Sequence, residues 1–194
     1  MFGALLDLVL PAACVGCGAE GTLLCRGCER TVGTARRHSP DPAPPGLPET
    51  WTAGRYSGAL RALLLGYKER DRRDLAPVIG CLLARATRAA VMSVGDPDRA
   101  PLVLVPIPSR RAVARQRGGD HVRRLLVAAI RADPPLAACP LIPALRVVGR
   151  PVDAVGLDTA HRWQARAGVF APRAGCLRLV QGRDVVLVDD LITT

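Results

Sequence analysis

Two adjacent carboxylates near the end of the chain, Asp189 and Asp190, directly follow an apolar run over 185–188. The run predicts a buried strand, and in open α/β sheets ligands bind just beyond the carboxyl ends of strands. Paired acids at that place suit a ribose diol or a hydrated Mg²⁺. Threonines that lead into a turn suit a phosphate held by backbone N–H groups at a helix start, so Thr193 and Thr194 are candidate phosphate-binding residues. The alternative is a strand that ends in two solvated acids and binds no ligand.

A strongly basic loop follows a second predicted strand. The segment 102–108 is apolar and ends at prolines, and the next residues include four arginines, Arg110, Arg111, Arg115 and Arg117. Guanidinium groups match phosphate oxygens in bidentate pairs. Gly118 and Gly119 free the backbone before a predicted helix, whose N-terminus also favours an anion. The pattern indicates a phosphate-binding loop, and a solvated basic loop is the alternative.

Four cysteines form two closely spaced pairs, Cys14-x2-Cys17 and Cys25-x2-Cys28. In a reducing compartment this spacing predicts a tetrahedral zinc site with four thiolate ligands. The module has too few residues to form a stable core without a metal or another cross-link. Four protein ligands also leave no open coordination position, so the predicted role of the metal is structural. Disulfides or a redox dithiol are the competing interpretations.

Charge and composition limit the possible partners. The chain has 194 residues and a formal net charge of +10. Residues 51–194 carry 23 basic and 12 acidic side chains, a net charge of +11. That part of the chain would attract phosphate-bearing ligands, from a sugar diphosphate to nucleic acid. Aromatic residues make up 3% of the chain, which disfavours a stacking platform for single-stranded nucleic acid.

The sequence contains no run of 18 apolar residues, so we expect no membrane span. The apolar opening segment lacks a basic region and contains Asp7, which disfavours a signal peptide. We therefore expect a cytoplasmic chain with reduced cysteines. His121 and His161 are possible general bases, but we expect neither to lie near a candidate nucleophile, and the sequence shows no Ser-His-Asp arrangement.

The patterning divides the chain into a zinc-ribbon module over 1–38, a proline-rich linker over 39–50 and an α/β domain over 51–194. Apolar periodicity predicts helices over 57–68, 74–94, 119–132 and 158–167. Strands are predicted over 102–108, 141–148 and 184–189. Strands that alternate with helices indicate a parallel sheet with helices on both faces.

Several motifs in this order resemble one family. They are the two CxxC pairs, the proline-rich link, Tyr56-Ser-Gly-Ala-Leu-Arg61, Tyr67-Lys68, Val-Pro-Ile-Pro before the basic loop, and Leu-Val-Asp-Asp-x-x-Thr-Thr. The chain resembles the ComF (ComF/GntX-type) proteins of natural competence, which join a zinc ribbon to a type I phosphoribosyltransferase-like domain. The last motif is similar to the phosphoribosyl-diphosphate (PRPP) signature of those transferases.

The resemblance implies a role for each matched residue. Asp189 and Asp190 would hold the ribose hydroxyls of a PRPP-like ligand at the catalytic centre, with Mg²⁺ as its companion ion. Thr193 and Thr194 would open the 5′-phosphate loop. Lys68, which is the only lysine of the chain, and the four arginines of the basic loop would face the diphosphate. Implied functions are phosphoribosyl transfer and DNA uptake, with single-stranded DNA and a competence helicase as possible partners of a non-catalytic binding module.

The sequence also departs from the family pattern. After Arg117-Gly118 the family usually has Phe-Asn-Gln, whereas this chain has Gly119, Asp120 and His121. The PRPP signature normally continues beyond the two threonines with Gly, a small residue and Thr, then a helix. A third interpretation is therefore an inactive paralogue that is truncated at its C-terminus.

Overall fold

The computed structural model describes residues 12–41, 43, 45–94, 102–109, 119–149 and 168–192. Within these ranges the helices are α1 (Arg26–Val32), α2 (Gly58–Glu69), α3 (Ala76–Val94), α4 (His121–Ala132) and α5 (Leu177–Val180). The strands are β1 (Arg36–Arg37), β2 (Trp51–Thr52), β3 (Val103–Pro106), β4 (Leu145–Val147), β5 (Phe170–Pro172) and β6 (Val185–Val188). The predicted helix over 158–167 and the apolar opening segment lie outside the described residues.

A parallel pair of strands forms the centre of the fold. β3 pairs with β6 in the register Val103↔Val185 to Pro106↔Val188, so the carboxyl ends of both strands lie at the same edge. The N–H of Ile107 continues the pairing by donating to the carbonyl of Val188 at 2.8 Å. Ser109 follows β3, and the acid pair, Asp189 and Asp190, follows β6. They therefore lie next to each other at this edge of the sheet.

Helices α3 and α4 cover one face of this pair. Leu104, Val186 and Val188 pack there against a cluster that includes Val122 and Leu126 of α4. The two helices approach closely at Gly80, where a Cβ would lie 2.6 Å from the Cβ of Ala128. A side chain larger than hydrogen at this position would push α3 away from α4.

Turns and short elements cover the opposite face in the described ranges. Val103 and Val105 pack against Ile142 and Ala144, with α5 and the turn before it at the margin. β4 and β5 pair antiparallel, in the register Leu145↔Pro172 to Val147↔Phe170. In the described ranges, long helices thus lie on one face of a two-stranded parallel sheet, and turns and short elements lie on the other. The architecture is mixed α/β with a small parallel sheet, to which Leu141 adds a single parallel bridge at Leu104.

The cysteine module packs directly onto the α/β part. Leu60, Leu63, Leu64 and Tyr67 of α2 are buried with Leu75 and Ile79, and this cluster receives Val15, Leu23, Leu24 and Cys28 from the module. β1 pairs antiparallel with β2, and the N–H of His38 donates to the carbonyl of Thr50 at 2.8 Å. The ends of the proline-rich segment are therefore held together by a short two-stranded ribbon.

The described part of the chain includes one helical stretch, Arg73–Val94, that is long and apolar enough to cross a membrane. Core helices often meet the same criterion of length and composition. In this fold Ile79 and Leu82 of that stretch are buried in the protein core. Part of the apolar surface of this stretch therefore packs inside the protein.

Candidate functional site

Asp190 lies at the edge where β3 and β6 end, and its carboxylate accepts hydrogen bonds from Lys68 and His121. Its Oδ2 lies 2.9 Å from Nζ of Lys68 and also contacts Nε2 of His121. The side chain of Asp190 is only 6% exposed, that of His121 11% and that of Lys68 25%. Because a buried carboxylate needs donors to offset its lost hydration, these two contacts hold it in place and in its charged form.

His121 also connects Asp190 to a hydroxyl. Nδ1 of His121 lies 2.7 Å from Oγ of Ser109. A carboxylate can only accept, so Nε2 carries the proton toward Asp190, and Nδ1 faces the serine hydroxyl. Ser109, His121 and Asp190 form a continuous chain of hydrogen bonds. The expectation that His121 has no nucleophilic neighbour is wrong, because the fold brings together residues that lie 12 and 69 positions apart.

Hydrogen bonds from neighbouring residues hold the backbones of Ser109 and His121 in place. Asp120 is the N-cap of α4, where its Oδ1 accepts from the N–H of Arg123 at 3.2 Å and its Oδ2 accepts from the N–H of Ser109 at 3.1 Å. His121 is the first residue of α4, and its carbonyl accepts from the hydroxyl of Tyr67 at 3.4 Å. Asp120 thus connects the end of β3 to the start of α4.

The two adjacent acids have different environments. Asp189 is exposed at the surface, yet the protein atoms around it limit its hydration, and with the negative charge of Asp190 they raise its pKa to about 6. Burial also acts to raise the pKa of Asp190, but the donors His121 and Lys68 outweigh it and hold that pKa below its usual value. At neutral pH both groups are ionised, and Asp189 is the one that takes up a proton first as the pH falls.

The structure brings together three of the residues selected from the sequence: Asp189, Asp190 and Lys68. Asp189 and Asp190 form part of the wall of a cavity of about 500 Å³. The other predicted ligand-binding residues, Arg110, Arg111, Arg115, Arg117, Thr193 and Thr194, lie outside the described residues. Ser109 is the residue that sequence reasoning missed, and its position directly after the prolines that end β3 is the signal that could have identified it. His121 was considered from the sequence as a general base, but it was not connected to Asp190 or Ser109.

The four predicted metal ligands converge. The sulfurs of Cys14, Cys17, Cys25 and Cys28 all lie within 4.8 Å of one another, a set that can hold a metal ion such as zinc. Backbone N–H groups already point at these sulfurs: that of Cys25 lies 3.4 Å from Sγ of Cys14, and that of Cys28 lies 3.4 Å from Sγ of Cys25. Four thiol sulfurs in this arrangement match the tetrahedral chemistry of structural zinc.

The glycines of the first CxxC turn make this convergence possible. A Cβ at Gly16 would lie 2.7 Å from Sγ of Cys28, and Gly18 has a φ of +79°. The sulfurs also influence one another. Burial opposes ionisation of Cys14, but backbone N–H donors, first that of Cys25, lower its pKa to about 6. The neighbouring thiols, first that of Cys17, raise the pKa of Cys28 to about 12. A bound metal would replace the protons for which these thiols compete.

Comparisons of the chain with protein-family models, with curated proteins and with solved structures find no match.

Proposed function

We propose that this chain binds a PRPP-like phosphoribosyl ligand together with Mg²⁺, and that it is a ComF-like protein with a type I phosphoribosyltransferase-like domain. The observation that carries the proposal is the acid pair at the carboxyl end of β6, beside the end of β3 and in contact with Lys68. This edge is where ligands bind in α/β sheets, and both acids line the cavity.

The described residues suit the parts of such a ligand. Both carboxylates are ionised at neutral pH and accept hydrogen bonds from ribose hydroxyls. Lys68 lies in the last turn of α2 and is partly exposed, so its ammonium can reach a phosphate oxygen as well as Asp190. Mg²⁺, when bound with the ligand, would neutralise charge on the diphosphate. Transfer at the anomeric carbon passes through an oxocarbenium-like state, and the protein's contribution would be positioning and charge stabilisation.

The cysteine module has a structural role in this proposal. Its metal ligands are all protein thiols, and its apolar residues pack against α2, the helix that carries Lys68. Zinc would thus hold the module against the element that supports the acid site. We assign zinc to this module rather than to the reaction.

The proposal is tested by calorimetric titration of PRPP in Mg²⁺ buffer into the full chain and into Asp189→Asn and Asp190→Asn. Both variants should bind at least about tenfold more weakly, since each loses a charged acceptor for the ribose hydroxyls. Asp74→Asn is the matched control, because Asp74 pairs with Arg72 away from the acid pair. The proposal would be contradicted if the unaltered chain did not bind PRPP. It would also be contradicted if the two site variants bound PRPP as tightly as the unaltered chain. The first result would favour the inactive paralogue.

A second candidate function is contact with nucleic acid during DNA uptake. The net charge of +11 over residues 51–194 favours it. With 3% aromatic residues, the contacts would be made mainly to phosphates. The affinity for a single-stranded oligonucleotide should then fall steeply between low and moderate salt, and a flat salt dependence would exclude this mode of binding.

A further inference from the structure

The phosphoribosyl proposal uses Asp190 but assigns no chemistry to Ser109 and His121. Oγ of Ser109 lies 2.7 Å from Nδ1 of His121, and Nε2 of His121 contacts Oδ2 of Asp190. A hydroxyl in contact with one ring nitrogen of a histidine, whose other nitrogen is held by a carboxylate, is the arrangement that activates a serine nucleophile. The three side chains are therefore placed for covalent chemistry at the serine oxygen.

The exposure of the three residues suits that chemistry. The side chains of His121 and Asp190 are 11% and 6% exposed, so the imidazole and its carboxylate are largely shielded from water. Hydrogen bonds are electrostatically stronger in such surroundings than in water. Ser109 at the end of the chain is only half-buried, which leaves a small substrate a route of approach.

The side chain of Asp120 holds the serine and the imidazole at a fixed separation. Its Oδ2 accepts from the N–H of Ser109 at 3.1 Å, and its Oδ1 accepts from the N–H of Arg123 at 3.2 Å. His121 is the first residue of α4, so the residue that caps this helix also positions the serine. Such positioning removes part of the entropic cost of a reaction. The positive end of α4, next to Ser109, also favours negative charge that develops on a substrate oxygen.

The charges around the imidazole favour its protonation during a reaction. Nζ of Lys68 lies 2.9 Å from Oδ2 of Asp190, and Asp189 is the neighbouring acid. When both acids are ionised, their two negative charges face the single positive charge of Lys68. A proton that passes from Ser109 to His121 brings this group to neutrality, so the acids stabilise the imidazolium that forms.

We propose that Ser109 is a catalytic nucleophile with His121 as its general base, and that this site hydrolyses small carboxylic esters. Asp190 is the positioning residue, because it holds the proton on Nε2 and leaves the lone pair of Nδ1 directed at Oγ of Ser109. Esters are the substrate class because an alcohol leaves a carbonyl carbon more readily than an amine does. The activity goes beyond the phosphoribosyl function and needs no phosphoribosyl ligand.

The reaction balances with water as the only co-reactant. Oγ of Ser109 forms a bond to the ester carbonyl carbon, and its proton passes to Nδ1 of His121. The bond from that carbon to the alcohol oxygen breaks, and the alcohol leaves with the bonding electrons and the proton from Nδ1. Water then attacks the acyl-serine and gives a proton to Nδ1. The serine oxygen leaves and takes that proton, which releases the carboxylic acid.

The experiment treats the full zinc-loaded chain with a fluorophosphonate, which reacts with activated serines, and locates the adduct by mass spectrometry of peptides. The chain contains four serines, so Ser39, Ser57 and Ser93 are internal references. Ser109 should carry the label, and Ser109→Ala should remove it. The same variant should lose the hydrolysis of p-nitrophenyl acetate that the unaltered chain shows.

The variant His121→Gln separates the base from a merely structural role. Glutamine keeps an N–H donor for Asp190 but cannot take the serine proton, so labelling should slow by about a hundredfold or more while the melting temperature is retained. Ser57→Ala, at an exposed serine whose side chain makes no capping bond, is the matched control and should label at the unaltered rate.

Two results would overturn the inference. The first is labelling of Ser109 no faster than that of the three other serines, since Oγ would then accept from a protonated Nδ1 instead of donating to it. The second is labelling or ester hydrolysis that persists at the unaltered rate in His121→Gln. Neither result depends on whether the chain binds PRPP, so failure of this inference and failure of the phosphoribosyl proposal are distinguishable.

Discussion

At the residue scale, the acid pair is a chemically asymmetric unit. Asp190 is buried and held by Lys68 and His121, whereas Asp189 lies open to the cavity. The sequence indicated both acids and Lys68, but it did not indicate the hydrogen bonds that support them. The chain Ser109–His121–Asp190 depends on where β3, α4 and β6 end in space, and no local pattern of apolar or polar residues encodes that meeting.

The role of His121 as the residue that positions Asp190 predicts different results for two substitutions. His121→Gln keeps an N–H donor that can reach Oδ2 of Asp190, so PRPP affinity should remain within about threefold of the unaltered chain. His121→Leu leaves the buried carboxylate with one donor fewer, so stability should fall by about 1–3 kcal/mol and affinity by about tenfold. Urea unfolding and calorimetric titration measure the two effects. An equally severe effect of glutamine would show that the imidazole itself is required.

The raised pKa of Asp189 predicts a pH dependence of ligand binding. The group is protonated below its pKa of about 6, and the neutral form accepts hydrogen bonds more weakly. PRPP affinity should therefore increase as the pH rises through 6, by about tenfold between pH 5 and pH 7.5 if ionisation is required. Titrations at these two pH values measure the change. In Asp189→Asn the part of the dependence that belongs to this group should vanish, and a profile identical to that of the unaltered chain would refute the assignment.

At the scale of elements, the apolar periodicity of the sequence predicted the helices well, but it did not predict which strands pair. The helices predicted over 57–68, 74–94 and 119–132 agree with α2, α3 and α4 to within two residues. Their apolar stripes are dictated by the local sequence and match the faces that are buried. The antiparallel pairing of β4 with β5 and the ribbon β1–β2 were not predicted, because both depend on contacts between segments that lie far apart in the chain.

Asp120 links the N-terminus of α4 to the end of β3, so we expect substitution of Asp120 to lower the stability of the fold. Asp120→Ala removes the cap on Arg123 and also the acceptor for the N–H of Ser109. The loss should be about 0.5–2 kcal/mol in urea unfolding, the usual cost of removing an N-cap. Asp120→Asn retains an oxygen acceptor and should lose less. If alanine and asparagine were equally harmful, charge rather than capping would explain the effect.

At the scale of the molecule, helix α2 connects three regions. Its apolar residues form a cluster with the cysteine module, Leu60 and Leu64 line the cavity, and Lys68 reaches Asp190. A change in the module would therefore reach the acid site through packed side chains rather than through direct contact. On this basis we expect a metal bound at the four cysteines to influence ligand binding at the acid pair.

Removal of the metal should therefore destabilise more than the module. Chelation of zinc from the full chain frees the four thiols and loosens Val15, Leu23 and Leu24, which pack against α2. We expect a lower melting temperature and weaker PRPP binding, both reversed by added zinc, because binding of a structural metal contributes directly to folding free energy. Cys17→Ser should reproduce the effect, whereas Cys81→Ser, at an exposed cysteine outside the group, should not. If the melting temperature fell while PRPP affinity remained unchanged, the cysteine module would be independent of the acid site, and α2 would not couple them.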